Sequence, residues 1–296
     1  APPPTELPAP MPRRTVAFHP LLTWLVDPFT AWLDVHHGPA PEAPRPIGRS
    51  FGLERSRERE VLQTLLATCW PAPPNRDQVE AALEEARLLN PSTVPEGLYL
   101  EAERVRLLRW VEDWVRALDR AEVPRAPLTT WTAPTLRFGA FELGPARAPV
   151  VDADEEHWTR VELHLSAHPP VALPRCFAHH ARRCAERSGT TVHVALAGVQ
   201  SERQLLRPVG EDESRTWLAH ATRSLLEDRA PHHLPFGASW ALLRERGAAR
   251  PELERRWDRV RWRHGPSPSR PVEVPPLAEA LDRIEAKLGL FIEAVP

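Results

Sequence analysis

Apolar residues in the first part of the chain recur at helical intervals. In the segment "HPLLTWLVDPFTAWL", residues 19–33, the apolar side chains fall on one face, and Pro28 interrupts the pattern. Because proline cannot donate to the carbonyl four residues earlier, the first helix should end at Asp27. We expect Asp27 to cap a second helix that has Pro28 at its first position.

Three later segments predict further helices. Residues 53–69, 76–90 and 101–118 each space their apolar side chains three and four positions apart. The third pattern is the most regular, and it predicts one continuous buried face. The residues expected on that face are Val105, Leu108, Val111, Val115 and Leu118, widened by Trp110 and Trp114.

Period-two alternation begins after residue 130. It predicts strands over residues 135–143, 157–167 and 189–198, with Arg160 and Glu162 on a solvated face of the second strand. A helix over residues 173–189 separates the last two strands, and helices over 211–230 and 275–295 follow. A strand–helix–strand unit with further helices predicts an α/β fold, in which a mixed sheet is flanked by helices.

Composition divides the chain further. Residues 1–14 are rich in proline and predict an extended tail or linker, so that residues 15–125 form a mainly helical N-terminal portion. Residues 126–296 would form the α/β core with its C-terminal helices, and we expect 15–296 to be one continuous domain. Since the chain starts at alanine, we also expect it to be a piece of a longer protein.

Charge and cysteine content limit the possible functions. A formal net charge of −2 does not indicate a nucleic-acid binder, so any DNA contact must be local. Three cysteines cannot form a closed disulfide framework, which predicts a reducing, cytoplasmic setting. No apolar run reaches the roughly 20 residues that a membrane span needs. Lys287 is the only lysine, and it lies in the last predicted helix.

Four segments, taken in order, resemble a known family. The chain is similar to the C-terminal nuclease-like domain of RecC, the exodeoxyribonuclease V gamma subunit, and more distantly to the nuclease domain of AddB. In the fourth segment the similar residues are Leu234, Pro235, Phe236, Ser239 and Trp240. The four segments are "LLTWLVDPFTAWLDVHHG", "SFGLERSREREVLQTLL", "ARLLNPSTVPEGLYLEAERVRLL" and "LLEDRAPHHLPFGASWALL".

This resemblance implies a restriction-endonuclease-like, PD-(D/E)XK-type core that has lost its catalytic residues. It further implies a subunit or fragment of an ATP-dependent helicase–nuclease that processes double-strand DNA ends for recombinational repair. RecB-like and RecD-like subunits would be its partners, and they would bind the ATP and Mg²⁺. The chain itself would need no cofactor, and it would act in assembly and in splitting or guiding the DNA strands.

An alternative is a divergent Mg²⁺-dependent DNA exonuclease. Nucleases of this superfamily need two carboxylates for the metal and a lysine on the strand of the second carboxylate. Here the candidates are Asp152, Asp154 and Glu162, with His164 in the lysine position. Active AddB-like nucleases also carry an iron–sulfur cluster, and Asp27 stands where they have a cysteine.

The segment "ELERRWDRVRWRHG" is the best local candidate for DNA contact, because arginine pairs with phosphate and tryptophan stacks on unpaired bases. Trp257 could instead anchor this segment in a core. The histidine pairs lack zinc-site spacing, and no phosphate-binding glycine loop occurs. With eleven tryptophans, a free-standing protein-interaction module is a third possibility. The DNA-contact candidates are Arg255, Arg256, Trp257, Arg259, Arg261, Trp262 and Arg263.

Overall fold

The computed structural model describes residues 14–38, 53, 55–89, 94–152, 157–164, 172–197, 200–226, 234–244, 254–255, 257–258 and 275–295. The helices are α1 (Phe18–Val26), α2 (Pro28–His37), α3 (Arg55–Cys69), α4 (Arg76–Leu89), α5 (Leu98–Arg120), α6 (Ala172–Cys184), α7 (Glu211–Leu226), α8 (Phe236–Arg244) and α9 (Leu277–Ala294). The strands are β1 (Arg14–Val16), β2 (Leu128–Ala133), β3 (Leu136–Phe138), β4 (Phe141–Leu143), β5 (Ala146–Asp152), β6 (His157–His164), β7 (Thr190–Ala197) and β8 (Gln200–Leu206).

The described strands form two sheets. The larger sheet has the order β2-β5-β6-β7-β8, and the smaller one has the order β1-β4-β3. In the larger sheet β6 runs antiparallel to β5 and parallel to β7, and β8 is antiparallel to β7. Helix α6 makes the crossover between the parallel neighbours β6 and β7. The predicted α/β class with a mixed sheet is therefore confirmed.

The chain divides into two compact units. One unit combines residues 40–132, 147–214 and 289–296, and the other combines 1–39, 133–146 and 215–288. The predicted boundary at residue 125 stays a prediction. Among the described ranges, none of the helices combines the length and the apolar character that a membrane crossing requires.

The unit that contains the larger sheet has helices on both sheet faces. Val161 of β6 and Val194 of β7 share a core with side chains of α3, α4 and α5 on one face. On the opposite face, His180 of α6 contacts Thr191 of β7. Parallel neighbours in a sheet are usually covered on both faces in this way.

The other unit contains the smaller sheet and a helical cluster. Leu234 and Leu242 pack with Trp257 and with Ile284 of α9. In the small sheet, β1 lies parallel to β4 and β3 is antiparallel to it. The predicted strand over residues 135–143 was wrong, because Gly139 takes a positive φ of 60° and turns the segment into the β3–β4 hairpin.

The face of α5 also differs from its prediction. Val105 was expected inside and is 47% exposed, whereas Leu107 and Trp114 are fully buried. Leu107, Val111, Trp114 and Leu118 follow one helical face, and Val105 lies roughly 160° away from Leu107 around the axis. The sequence pattern therefore predicted the position of the helix correctly but assigned the wrong side of it to the core.

The break at Asp27 and Pro28 has the predicted form. Asp27 ends α1, and its carboxylate accepts hydrogen bonds from the Thr30 backbone N–H at 3.3 Å and from the Thr30 hydroxyl at 2.8 Å. Pro28 takes the first position of α2, where a missing N–H costs nothing. The interpretation of Asp27 as a helix cap is confirmed.

Replacing Asp27 with alanine is expected to lower the free energy of unfolding by about 1 kcal/mol, because the first turn of α2 loses its acceptor. Asp27→Asn is the matched control, since its side-chain oxygen can still accept from Thr30. Urea unfolding of both variants checks this expectation. Equal losses for the two variants would mean that the charge, rather than the acceptor, stabilises the helix.

Candidate functional site

The polar face of β6 is buried. Arg160 and Glu162 are each only 5% exposed, although the alternation of the strand had predicted a solvated face. This prediction was wrong because α6 covers that face of the sheet. The covering helix is polar, yet His179, His180 and Arg182 are all buried. Charged groups on facing elements therefore meet away from solvent.

Arg160 forms an ion pair with Glu162 at the centre of this region. Its Nη1 donates to Glu162 Oε2 at 2.6 Å and to His193 Nδ1 at 3.3 Å. Since a guanidinium has no acceptor, Nδ1 of His193 must accept, which places the ring proton on Nε2. His193 Nε2 lies 4.0 Å from the same Glu162 oxygen. We call Arg160, Glu162 and His193 the buried charge cluster.

The charges of this cluster affect the pKa of two side chains of α6. Burial raises the pKa of the Cys176 thiol to about 12, although Arg160 lowers it and Glu162 raises it further. Burial also lowers the pKa of His179 well below its ordinary value, and the positive charges of Arg160 and His193 act in the same direction. At neutral pH Cys176 is thus a thiol and His179 is neutral.

The pKa of Arg160 is raised. Burial alone would lower it, but the charge of Glu162 and the contact with Cys176 outweigh that effect. Arg160 therefore stays a cation, and Glu162 lies beside a permanent positive charge. A carboxylate paired in this way already has the counterion that a bound metal would provide.

A network of hydrogen bonds lies beside the buried charge cluster. Trp158 Nε1 donates to the Thr191 hydroxyl, and this hydroxyl lies 2.7 Å from His180 Nδ1. His180 Nε2 lies 2.9 Å from the Arg207 carbonyl oxygen. Since that carbonyl can only accept, Nε2 donates to it and Nδ1 accepts from Thr191. When His180 is neutral, the donor and the acceptor of every hydrogen bond in this network are therefore fixed.

Along the β5–β6 ladder, the backbone of Asp152 lies well away from that of Glu162. Asp152 pairs with Trp158 across the β5–β6 ladder, four residues before Glu162 along β6. At about 3.3 Å per residue, this offset is about 13 Å, whereas two ligands of one Mg²⁺ must lie within a few ångströms of each other. Asp154 lies outside the described residues, and only the backbones of Asp152 and His164 are described. In the described part of the chain, no group of three potential ligands could hold a metal ion.

The structure describes two of the seven DNA-contact candidates, Arg255 and Trp257. Arg255 is exposed, whereas Trp257 is 5% exposed and packs in the core with α8 and α9. The buried indole favours the interpretation that this segment is anchored in a core. The remaining candidates, Arg256, Arg259, Arg261, Trp262 and Arg263, lie outside the described residues.

The segment around Leu234 has a structural explanation. The Leu234 carbonyl accepts from the Ser239 hydroxyl at 3.3 Å and from Lys287 Nζ at 3.2 Å. Lys287 is 1% exposed, and its ammonium lies 5.0 Å from the centre of the Trp24 ring. The single lysine thus fixes the start of α8 rather than serving a catalytic strand.

The three cysteines are packed inside the protein. Cys69, Cys176 and Cys184 are free and buried. Cys184 donates to the Gly189 carbonyl at 3.7 Å, and burial raises the pKa of its thiol. These thiols are packed groups and not nucleophiles.

Sequence reasoning had singled out Glu162 but missed Arg160 and His193 as its partners. The register of β6 and β7 places Arg160 directly opposite His193. A signal was present, since both residues occupy the polar positions of strands joined by a helical crossover.

Compared with models of known protein families and with curated protein sequences, the chain gives no match.

Proposed function

We propose that the chain is a non-catalytic, RecC-like subunit or fragment of an ATP-dependent helicase–nuclease that processes double-strand DNA ends. It would contribute to assembly with RecB-like and RecD-like subunits and to guiding the separated strands. The observation that carries this proposal is the buried ion pair between Arg160 and Glu162. It occupies the strand on which a nuclease would display its metal-binding carboxylate.

The arrangement around Glu162 supports the loss of catalysis. A carboxylate that serves Mg²⁺ must be accessible and must share the metal with a second carboxylate. Glu162 is buried and already bonded to Arg160, and Asp152 is displaced along the sheet. The surroundings of Glu162 do not fit a metal ligand, so no cleavage step is assigned to it.

The mixed sheet supports the restriction-endonuclease-like core that the resemblance implies. Strand β6, which bears the acid-x-base triplet, lies at the centre of five strands with helices on both faces. A degenerate nuclease core retains such a scaffold while its polar positions are free to change. Here the polar positions of β6 carry a positive and a negative charge that neutralise each other beneath α6.

The test is size-exclusion chromatography of the full chain with the helicase–nuclease subunit from the same genome, with and without a forked DNA end. We expect a stable complex that includes the DNA. The chain alone, incubated with forked DNA and Mg²⁺, should leave the DNA as long as a sample with chelator does. If the chain elutes alone in every mixture, the proposal is wrong and a free-standing interaction module is favoured.

Asp152→Asn serves as the control for the enzymatic alternative. The buried ion pair joins Arg160 to Glu162, so this substitution tests catalysis while both members of that pair stay in place. Mg²⁺-dependent shortening by the parent chain that disappears in Asp152→Asn would establish the exonuclease alternative and overturn the proposal.

A further inference from the structure

Lys287 carries an amine that is enclosed in the interior of its compact unit. It is the only lysine in the sequence, and it is 1% exposed. Its Nζ donates to the Leu234 carbonyl at 3.2 Å and lies 5.0 Å from the centre of the Trp24 ring. All three residues belong to the unit that contains the smaller sheet. The nucleophilic atom of this side chain therefore faces protein groups instead of solvent.

The groups that enclose Nζ are themselves held in place. Trp24 is fully buried. The Leu234 carbonyl accepts a second hydrogen bond from the hydroxyl of Ser239, which is also fully buried. At the other end of the residue, the Lys287 backbone carbonyl accepts from the Trp217 indole N–H at 2.9 Å. Both the main chain and the side chain of Lys287 are therefore fixed.

The position of Lys287 on α9 keeps its side chain inside. Ile284, three residues earlier, is 2% exposed, and Leu288, the next residue, is 1% exposed, so Lys287 lies on the inward face of the helix. Rotation of the side chain on that face moves Nζ among buried groups. Nζ reaches solvent when residues 277–288 of α9 separate from their neighbours, and such partial opening of a native structure is a rare event.

We propose that Lys287 is an acylation site that reacts only in the opened form of its unit and that, once acylated, keeps the unit from closing. This inference goes beyond the proposed function, since it needs neither DNA nor a partner subunit. In the reaction, the neutral amine attacks the carbonyl carbon of an acyl thioester or active ester. A C–N bond forms, and the bond from that carbon to its sulfur or oxygen breaks. The leaving group takes the electron pair, and the amine releases a proton.

Acylation conflicts with the closed structure in two ways. It removes the positive charge that lies against the Trp24 ring, and with it the attraction between the cation and the ring face. It also adds an acyl group where Lys287 and Trp24 have almost no accessible surface, and overfilled cores are destabilised. Because the sequence contains no second lysine, every acylation of a lysine side chain in it has this effect.

Mass spectrometry of the full chain after treatment with the N-hydroxysuccinimide ester of acetic acid tests the site. Ala286→Lys supplies the matched reference, because Ala286 is the exposed neighbour of Lys287 on the same helix. In the folded chain we expect the introduced lysine to react at least about 100-fold faster than Lys287, since only the rare opened form exposes Nζ. In concentrated urea the two lysines should react at similar rates. If Lys287 reacts as fast as the introduced lysine in the folded chain, the proposal is wrong.

Ser239→Ala tests whether the contacts at the Leu234 carbonyl control the reaction. It removes one hydrogen bond to that carbonyl and leaves Trp24 in place, so we expect opening and acylation of Lys287 to become about 5-fold faster. Thr23→Ala is the matched control, because the Thr23 hydroxyl bonds the His19 carbonyl of its own helix at 3.4 Å. Circular dichroism confirms that both variants are folded. Equal acylation rates of Lys287 in the two variants would contradict the proposal.

Hydrogen exchange of residues 277–288 tests whether acylation prevents closing. The chain is acylated in concentrated urea and diluted into buffer, and we expect its amides there to exchange at least about 10-fold faster than those of the control. The control is chain treated with the ester while folded, quenched, and then taken through the same urea step. Its other amines have reacted, whereas Lys287 has not. Equal exchange in the two samples would overturn the proposal, because acylated Lys287 would then fit the closed structure.

Discussion

Glu162→Gln is expected to lower the free energy of unfolding by about 3–5 kcal/mol. The substitution keeps the shape of the side chain and removes its charge, which leaves the guanidinium of Arg160 buried without its 2.6 Å counterion. Breaking a buried pair costs this much because the remaining charge stays desolvated. Urea unfolding at neutral pH, with the slope checked for two-state behaviour, measures the loss.

The double variant Arg160→Met with Glu162→Met separates the two contributions to this loss. It removes both charges together, so we expect it to be closer in stability to the parent than Glu162→Gln is. Glu112→Gln is the matched control, because Glu112 pairs with Arg116 at 3.2 Å on the surface of α5. It should change stability by less than about 1 kcal/mol. A similar effect of Glu112→Gln and Glu162→Gln would contradict a special cost of the buried pair.

Local signals in the sequence predicted most of the helices and their ends. The Asp27 carboxylate and the fixed φ of Pro28 act within one turn, so the break between α1 and α2 could be predicted without tertiary information. The same holds for α3, α4 and α5, whose apolar spacing is regular. Periodicity located α5, but the neighbours that select its inward face lie far away in the sequence.

The strands were harder to predict because their patterns depend on their neighbours. Edge strands β2 and β8 bury little on one side and carry many polar residues, so alternation hardly marks them. Pro149 obscures β5, where it interrupts an otherwise apolar run. The β3–β4 hairpin was missed because its turn depends on the conformation of Gly139.

The burial of Arg160 and Glu162 follows from topology rather than from local pattern. Alternation of polar and apolar residues is typical of a strand with one solvent-exposed face, and β6 was interpreted as such a strand. The helical crossover from β6 to β7 was itself predicted, and parallel neighbours are normally covered on both faces. Combining these two observations would have predicted that Glu162 needs a buried partner.

The relation between Asp152 and Glu162 could not be obtained from sequence at all. Ten positions separate them along the chain, and any distance between their side chains depends on the register of β5 against β6. The observed register puts Asp152 opposite Trp158. A different register of β5 against β6 would have brought Asp152 closer to Glu162. Only the observed register therefore distinguishes a possible metal site from a purely structural strand.

His180 makes the stability of this unit sensitive to acid. Burial is the largest cause that lowers its pKa, to about 4, and the charge of Arg183 adds to it, although the bond to the Arg207 carbonyl opposes the change. A protonated Nδ1 would have to donate to Thr191, whose hydroxyl already accepts from Trp158. The hydroxyl proton would then lose its acceptor, and the directed chain of hydrogen bonds would break.

Lowering the pH from 7 to 4 is therefore expected to remove about 3 kcal/mol of unfolding free energy through His180 alone. The unfolded chain binds the proton near pH 6.5 and the folded chain only near pH 4, so this stability is complete above pH 6.5 and is lost as the pH falls. His180→Gln keeps one donor and one acceptor without titrating, and the drop between the two pH values should shrink by about that amount. His19→Gln, at an exposed histidine of α1, is the matched control and should leave the drop unchanged. Urea unfolding at both pH values measures the difference, and an equal drop in His180→Gln and the parent would place the acid sensitivity elsewhere.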